Sequence, residues 1–348
     1  MNEIRNDLKP MNVGDVLDYS VEAFRQNFKG IVLLSLILYV PWTVLNSIIS
    51  NILVDNQLSG IFTMYKDMFN GVYSPEMLES YLGDTSAFGN TVTGLMSMLQ
   101  LVYSITIKLV LNAAVIKMIY DYAISGEVKV SSFSDVKALI KYCFRFMPKM
   151  MGNAVIFAVI LGAAYFISII VGVLAIIVPI IAISAMDFPP VLMAVVIIFL
   201  VLLVIIGVFI AIGFFAIKLI FGANIIVIEG KSVSESIKRS FYLGKRKFWH
   251  IAFSGIFAIM LYYLFNALLL GATMFLAVVN NTLYIVVNAF AQMSSAIAEP
   301  FILVFITVLF INMKVQKEGL DLEVKMRKLI EEENSIDLLN KDGVTANE

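Results

Sequence analysis

The feature that most constrains this chain is a series of apolar windows, each about 20 residues long and nearly free of charge. A hydrocarbon core about 30 Å thick requires roughly 20 residues of helix to cross it. The mean hydropathy is +0.90 and 60% of the residues are hydrophobic, against roughly half in soluble domains. Only 15% of the residues are charged. These values predict an all-α integral membrane protein.

The windows predict six transmembrane helices arranged as three hairpins, each preceded by a cytoplasmic amphipathic interfacial helix. We place the spans near residues 30–51, 93–119, 151–184, 190–220, 250–279 and 284–312. The hairpins form a single membrane domain over residues 1–313, with repeat units at 11–120, 131–221 and 231–313. Residues 314–348 are predicted to form a cytoplasmic tail that is helical at first and then disordered.

The repeat is carried by three segments, 15–29, 135–149 and 235–247, that mix aromatic and basic residues and run into an apolar stretch. Overlaying the first on the second pairs Asp15 with Asp135, and a shift of 220 aligns the first with the third. Each has a helix start signal, apolar positions at helical spacing and basic residues before the span. Anchoring at the interface is the expected role, and docking of a partner or of anionic lipid is the alternative.

The basic residues are distributed unevenly among the connecting segments. Groups of Lys and Arg precede span one, separate spans two and three, separate spans four and five, and follow span six, whereas the remaining loops hold only Lys66. The positive-inside rule therefore predicts that both termini are cytoplasmic, in the cell (plasma) membrane. The cations predicted at this interface are Arg25, Lys29, Arg145, Lys149, Lys245, Arg246 and Lys247.

The predicted partners follow from this charge distribution. Basic linkers on the cytoplasmic side favour membrane lipid, anionic at that face. A protein partner is a further candidate, because basic amphipathic helices also dock proteins. The net charge of -1 gives no reason to expect nucleic acid.

Two ionisable residues lie near the middle of their predicted spans, Lys108 in span two and Glu299 in span six. A charge at the centre of a bilayer costs about 2.5–3.5 kcal/mol on insertion scales, so such residues face protein or water. Both spans run from outside to inside, which places the two side chains at similar depth. We expect the two spans to pack side by side, with Lys108 near Glu299.

Polar neighbours form a stripe on each of these helices at helical spacing. The stripe of span six comprises Asn288, Gln292, Ser295 and Glu299, and that of span two comprises Ser97, Gln100, Ser104, Lys108 and Asn112. The stripes predict either a polar cavity for an ion, a headgroup or a proton relay, or hydrogen bonds between helices worth about 1 kcal/mol each. The candidate site residues are Lys108, Asn112, Gln292, Ser295 and Glu299. Pro300 is expected to kink span six beside them.

Other chemistry has few residues to build on. Cys143 and His250 are the only residues of their types, so no Cys/His zinc site is expected. Gly230-Lys231-Ser232 ends like a phosphate-binding loop, but Ile225 stands where that motif requires glycine. We predict no catalytic residue, metal or cofactor, and no enzymatic activity.

Four stretches match signatures of a known family. They are VGDVLD at 13–18 with FRQNF at 24–28, IEG at 228–230 with SIKRS at 236–240 and FW at 248–249, EP at 299–300, and KEGLDLE at 317–323. Together they resemble the glycerophosphoryl diester phosphodiesterase membrane-domain family. That resemblance implies a multi-spanning module linked to lipid or envelope metabolism. The hydrolase of the family lies in a soluble barrel of about 250 residues, for which this chain has no room.

The sequence therefore predicts a non-catalytic multi-pass membrane protein of undefined activity, a lipid- or envelope-related module that serves a partner. The alternative is a transporter or lipid-handling protein with a polar intramembrane cavity at Lys108 and Glu299. Three parallel hairpins argue against the inverted repeats typical of many secondary transporters.

Overall fold

The computed structural model describes residues 9–53, 64, 67–72, 87–184, 189–279, 281–326 and 330, and these residues form helices and connecting turns without a strand. The chain divides into two compact units. Unit 1 comprises Met1–Met147 and Phe253–Glu348, and unit 2 comprises Pro148–Ala252. The single membrane domain with three repeat units stays a prediction. The predicted disorder at the end of the chain lies outside the described residues.

The described helices fall into three groups along the chain. The first group is α1 (Val13–Gln26), α2 (Phe28–Leu38), α3 (Val40–Leu53), α4 (Ala87–Ile105) and α5 (Ile107–Ser125). The second is α6 (Phe133–Cys143), α7 (Met147–Ser184), α8 (Pro190–Leu219) and α9 (Gly222–Glu229), with a 3-10 turn at Phe144–Phe146 between α6 and α7. The third is α10 (Val233–Leu243), α11 (Phe248–Val279), α12 (Asn281–Ala298) and α13 (Pro300–Glu318).

Five helical stretches in the described part are long and apolar enough to cross a membrane, and a bent pair raises the number to six if it is one span. The five stretches are Gly94–Ser125, Phe133–Ile181, Val191–Glu229, Phe248–Phe275 and Val286–Glu318. The bent pair joins Phe28–Leu38 to Val40–Asn46 at 46°, just before Pro41, which has no N–H to continue the ladder. The chain is a multi-pass helical membrane protein. Each stretch overlaps a span placed from the sequence.

The three short helices that precede the hairpins begin in the same way. The Asp15 carboxylate accepts a hydrogen bond of 3.0 Å from the Asn12 N–H. Asp135 accepts one of 2.9 Å from the Ser132 N–H, and Glu235 one of 3.0 Å from the Ser232 N–H. Each carboxylate satisfies a backbone donor that the first turn of a helix leaves unpaired. The helix starts thus recur at the spacing of the aligned sequence segments.

Two membrane stretches, Gly94–Ser125 and Val286–Glu318, are interrupted near their middle. Between α4 and α5 the break is at Thr106, whose hydroxyl donates to the Val102 carbonyl at 2.6 Å. Between α12 and α13 it is at Glu299, where Pro300 starts the new helix and cannot donate to the preceding turn. Helices α5 and α13 each have 19 residues and each end at a left-handed glycine, Gly126 or Gly319. The predicted kink at Pro300 is therefore a helix break.

The core of unit 1 lies along α5 and α13, which pack against each other, with α1 packed on α13. Fully buried apolar residues on the two central helices include Val115, Ile116, Val308 and Phe305. Gly30 of α2 allows close approach to α5, since a Cβ there would lie 2.9 Å from the Met118 sulfur. The core is therefore a helix-on-helix contact between the helices that follow the breaks at Thr106 and Glu299.

A buried amide fixes the start of the chain to its last membrane helix. The Met11 N–H donates to Asn312 Oδ1 at 2.9 Å, and Asn312 Nδ2 donates to the Met11 carbonyl at 3.0 Å. The Gln316 side chain donates a second hydrogen bond to the Met11 carbonyl, at 3.2 Å. The ring of Phe24 meets that of Phe301 edge to face, with centroids 5.7 Å apart. These contacts hold α1 against α13.

Unit 2 is held together by polar contacts at the end where α9 and α10 meet. Arg239 donates two hydrogen bonds of 3.0 Å to the Glu229 carboxylate, in the parallel geometry that guanidinium and carboxylate favour. Ser240 bridges the break between α8 and α9: its hydroxyl donates to the Lys218 carbonyl at 2.7 Å and accepts from the Phe221 N–H at 3.3 Å. Two signature stretches of the sequence, 228–230 and 236–240, thus supply the paired residues.

Candidate functional site: an ion pair and cavity at two helix breaks

Lys108 and Glu299 both lie at the break of a membrane stretch. Lys108 is the second residue of α5, two positions after Thr106, and Glu299 is the residue between α12 and α13. A helix break leaves backbone groups without intrahelical partners, so it places polar atoms where a continuous helix would present only side chains. The two breaks meet because α5 packs against α13.

The two side chains form a direct ion pair. Lys108 Nζ lies 2.6 Å from Glu299 Oε1, and the side chains are 28% and 30% exposed. The sequence expectation that Lys108 lies near Glu299 is confirmed. A charge-assisted bond of this length is strong, and in a bilayer neither partner can be removed without leaving the other uncompensated.

A cavity of about 150 Å³ adjoins the pair. It is lined by Lys108, Leu111, Asn112, Glu299, Pro300, Ile302 and Leu303. A buried water needs roughly 10–15 Å³ on this measure, so the space exceeds that of a single water several-fold. The wall is apolar on the α13 side and carries a cation, a carboxylate and an amide. This combination suits a small polar group attached to an apolar body.

Asn112 is the polar residue of the cavity lining whose side chain makes no hydrogen bond to the described part of the chain. It follows Lys108 by one helical turn, so both side chains lie on the same face of α5. Within the described part of the chain its amide has no hydrogen-bond partner. An amide offers two donors and an acceptor, which makes Asn112 available to a molecule in the cavity.

Aromatic rings of the first hairpin stack beside the pair. Lys108 Nζ lies 5.4 Å from the centroid of the Tyr39 ring, a cation–π distance. The Tyr39 ring stacks on Tyr103 at 6.1 Å, and Tyr103 stacks on Trp42 at 5.1 Å. The Tyr103 hydroxyl donates to the Leu38 carbonyl at 2.8 Å, just before the bend of the first hairpin. The bend thus brings the Tyr39 ring face to the lysine.

The remaining stripe residues do not converge on the pair. Ser295 donates to Asn266 of α11 at 2.5 Å, and Gln292 is exposed. Gln100 accepts a hydrogen bond from the Trp42 indole N–H and donates to Ser104 at 3.3 Å. Of the five candidates, the structure brings together Lys108, Asn112 and Glu299. Ser295 acts between helices, as the hydrogen-bonding interpretation of the stripes describes.

The predicted interfacial cations are all exposed. Arg145 makes cation–π contacts with two neighbours on the chain, with its guanidinium carbon 3.7 Å from the Tyr142 ring centroid and 4.6 Å from that of Phe146. Lys149 donates to the Gly230 carbonyl at 2.8 Å, next to the start of α10. At that start, hydrogen bonds from the Ser232 N–H and hydroxyl hold the pKa of Glu235 below its usual value. The membrane side that these cations face stays a prediction.

Four functional contacts were not expected from the sequence. Tyr39 lies beside Lys108 because of the bend at Pro41. The sequence signal for this contact is a proline between two aromatic residues, Tyr39 and Trp42. Asn266 is a lone amide inside an apolar span, which could have indicated a partner for Ser295. The bond from Asn312 to Met11 and the pairing of Glu229 with Arg239 depend on tertiary packing, and neither has a local sequence signal.

Comparison with protein-family models, curated proteins and solved structures found no match to this chain. The resemblance to the glycerophosphoryl diester phosphodiesterase membrane-domain family therefore stays a prediction. In the described residues no group of three or more His, Cys, Asp or Glu side chains is placed to hold a metal ion.

Proposed function

We propose that this membrane protein handles lipid, taking the polar headgroup of a membrane lipid into the cavity beside Lys108 and Glu299. The observation that carries the proposal is the charged pair bordering a cavity at two helix breaks near the middle of the membrane stretches. A headgroup at that depth has left the surface of its own leaflet. The corresponding activity is movement of phospholipid between leaflets, with no catalytic step.

The lining supports a lipid in preference to a bare ion. Leu111, Ile302 and Leu303 give the cavity apolar walls that suit a glycerol or acyl segment. Only one carboxylate lines the space, whereas cation sites in proteins gather several oxygen ligands. Both charged side chains remain partly exposed, so the cavity can be reached from outside the chain.

The test is a leaflet-exchange assay in reconstituted vesicles. Vesicles carrying a fluorescent phospholipid are treated with dithionite, which bleaches the outer leaflet and reports how much lipid has moved outward. We expect the wild-type protein to increase exchange over protein-free vesicles, and Leu303→Trp, which fills the cavity, to remove most of that increase. Equal exchange in wild-type and protein-free vesicles would overturn the proposal.

Two matched variants control this experiment. Leu261→Trp adds the same bulk to an exposed position of α11 away from the cavity. Asp121→Asn breaks a second pair on α5, Lys117 with Asp121, which has the same 2.6 Å distance and the same exposures of 28% and 30% but does not line the cavity. Both are expected to exchange lipid at the wild-type rate.

A second candidate is a membrane module that holds a protein partner at its cytoplasmic face. It is favoured by exposed aromatic residues that accompany the basic ones, including Phe133 at 64%, Phe144 at 52% and Trp249 at 68% exposure. Both termini are cytoplasmic in this proposal, and the membrane is the cell membrane. Replacing Lys245, Arg246 and Lys247 by Glu is expected to abolish co-purification of such a partner. If it instead lowers binding of the purified protein to anionic vesicles, the segment contacts lipid.

A further inference from the structure

We infer that the group this cavity takes is a net-neutral zwitterion, an ammonium joined to a phosphate, as in the phosphoethanolamine headgroup. The inference rests on the proposed function and narrows it to a lipid class. It follows from the charges that border the cavity and from the one lining amide that has no partner.

The first argument is electroneutrality. Lys108 and Glu299 are the charged residues of the lining, and their charges sum to zero. The other walls are apolar or amide, so the site has little means of compensating an added charge. An anionic headgroup would leave a net negative charge there, and a cationic group a net positive one. A zwitterion adds no net charge.

The second argument is pairwise complementarity. A phosphate can accept from Lys108, which has three N–H donors and gives one to Glu299. The ammonium of the same headgroup can donate to the Glu299 carboxylate, so the protein pair and the headgroup together form an alternating set of charges. The Tyr39 ring, whose centroid lies 5.4 Å from Lys108 Nζ, contacts the lysine rather than the cavity and helps to hold its ammonium group beside Glu299.

The third argument is Asn112. Its amide lines the cavity, lies one turn from Lys108, and has no partner among the described residues. A phosphate has more acceptor oxygens than one lysine can satisfy, and an amide N–H is a neutral donor that can supply a second bond. Asn112 therefore strengthens phosphate binding without changing the charge of the site. This geometry assigns the phosphate to the α5 side of the cavity.

The experiment measures which lipid the full-length protein retains. The protein is placed in nanodiscs with equal amounts of phosphatidylethanolamine and phosphatidylglycerol, then extracted, and the bound lipid is identified by native mass spectrometry. We expect the wild type to hold at least threefold more phosphatidylethanolamine than phosphatidylglycerol. Glu299→Gln leaves the site with one positive charge and is expected to reverse the preference. Asn112→Ala is expected to lower retention of both lipids.

Controls keep the result interpretable. Asp121→Asn, the matched pair outside the cavity, is expected to keep the wild-type preference. If Glu299→Gln does not fold, the double variant Lys108→Gln/Glu299→Gln keeps the site neutral but removes both charged contacts to the headgroup. It is expected to retain less phosphatidylethanolamine than the wild type, and unchanged retention would overturn the inference. Soluble glycerophosphoethanolamine is added in a parallel arm. If it displaces the bound lipid, the headgroup alone is sufficient for binding to the cavity. If it does not, binding also requires the acyl chains.

Two outcomes separate this inference from the proposed function. In the first, Leu303→Trp abolishes lipid retention, but the wild type shows no preference or prefers phosphatidylglycerol. That result overturns the zwitterion assignment and leaves lipid binding at the cavity in place. In the second, neither Leu303→Trp nor Glu299→Gln alters lipid retention. The lipid then lies outside the cavity, which contradicts both the proposed function and the zwitterion inference.

Discussion

Two membrane stretches of unit 1 are packed very differently from one stretch of unit 2. In unit 1, 44% of the most apolar window of Gly94–Ser125 and 50% of that of Val286–Glu318 are buried within the chain. In unit 2, the corresponding window of Val191–Glu229 is 0% buried. The stretch with the greatest apolar character is therefore the one that makes the least contact with other parts of the protein.

The difference shows what drives helix packing in a bilayer. Lipid tails are as apolar as leucine, so apolar side chains gain little by leaving lipid for protein. Polar groups do gain, because only protein partners can satisfy them there. The packed helices α5 and α13 carry Lys108, Asn112, Thr307 and Asn312, whereas α8 carries Lys218 at its end. Polar residues thus mark the helices that contact one another.

The largest expected effect comes from breaking the ion pair. Glu299→Gln leaves Lys108 charged and uncompensated in the membrane, which costs about 2.5 kcal/mol in the free energy of unfolding. The measurement is a denaturant titration of the purified protein in mixed micelles. The double variant Lys108→Met/Glu299→Gln is expected to recover most of that loss. Asp121→Asn, at a pair of the same length, should cost less than about 0.5 kcal/mol. Equal losses at the two pairs would contradict the role assigned to the site.

A second experiment compares the same substitution in the two units. Phe305 of α13 is 1% exposed, and Phe209 of α8 is 73% exposed. Phe305→Ala leaves a cavity between helices and is expected to cost about 2 kcal/mol, mostly from lost packing. Phe209→Ala faces lipid, which fills the space, so it should cost less than about 0.5 kcal/mol. Thermal unfolding in detergent measures both, and a comparable loss at Phe209 would show that α8 is packed.

A third substitution tests whether unit 2 depends on the polar contacts at its end. Arg239→Lys keeps the charge but loses the two-point contact with Glu229, which is expected to cost about 1.5 kcal/mol. Limited trypsin digestion measures it through faster cleavage at Lys245 and Arg246. The control is Lys238→Arg, which keeps the positive charge at the position next to Arg239 on α10. Unchanged digestion of Arg239→Lys would indicate that the hairpin itself holds the unit.

The smallest expected effect is a pH dependence at the start of α10. The pKa of Glu235 is lowered in the folded protein by its bonds from Ser232, so the carboxylate stabilises the folded state. This contribution is fully present above the unfolded pKa of about 4.3 and is lost as the pH falls through the lower folded value. The Ser232 amide signal in NMR should shift over that range. Glu235→Gln should abolish the shift, and a shift that persists would have another origin.

The sequence predicted much of this architecture, because its signals were local. Helix starts at Asn12, Ser132 and Ser232 follow from cap chemistry, and the apolar windows follow from bilayer thickness. The contact of Lys108 with Glu299 was predictable because the basic linkers set the direction of each span and thus the depth of each charge. The break at Pro300 followed from its missing N–H.

Other features needed the folded chain. No proline or glycine lies near the break at Thr106, where the hydroxyl donates to the Val102 carbonyl one turn earlier, a contact that bends helices. Gln292 has helical spacing with Glu299 but is exposed. The helix that carries Gln292 ends at Ala298, so the spacing does not continue to Glu299. The partner of Ser295 is an amide on a different helix from the one expected. Periodicity identifies a face of a helix, but it does not say which neighbour covers that face.

The bonds between Met11 and Asn312 join positions 301 residues apart. During synthesis, the partner of α1 on α13 therefore leaves the ribosome long after α1 itself. Until then α1 has only its smaller contacts with α2 and α5. The attachment of α1 to α13 can therefore form only after α13 has been made. A tag or fusion that displaces Met11 is expected to leave the membrane helices inserted but α1 detached from Asn312.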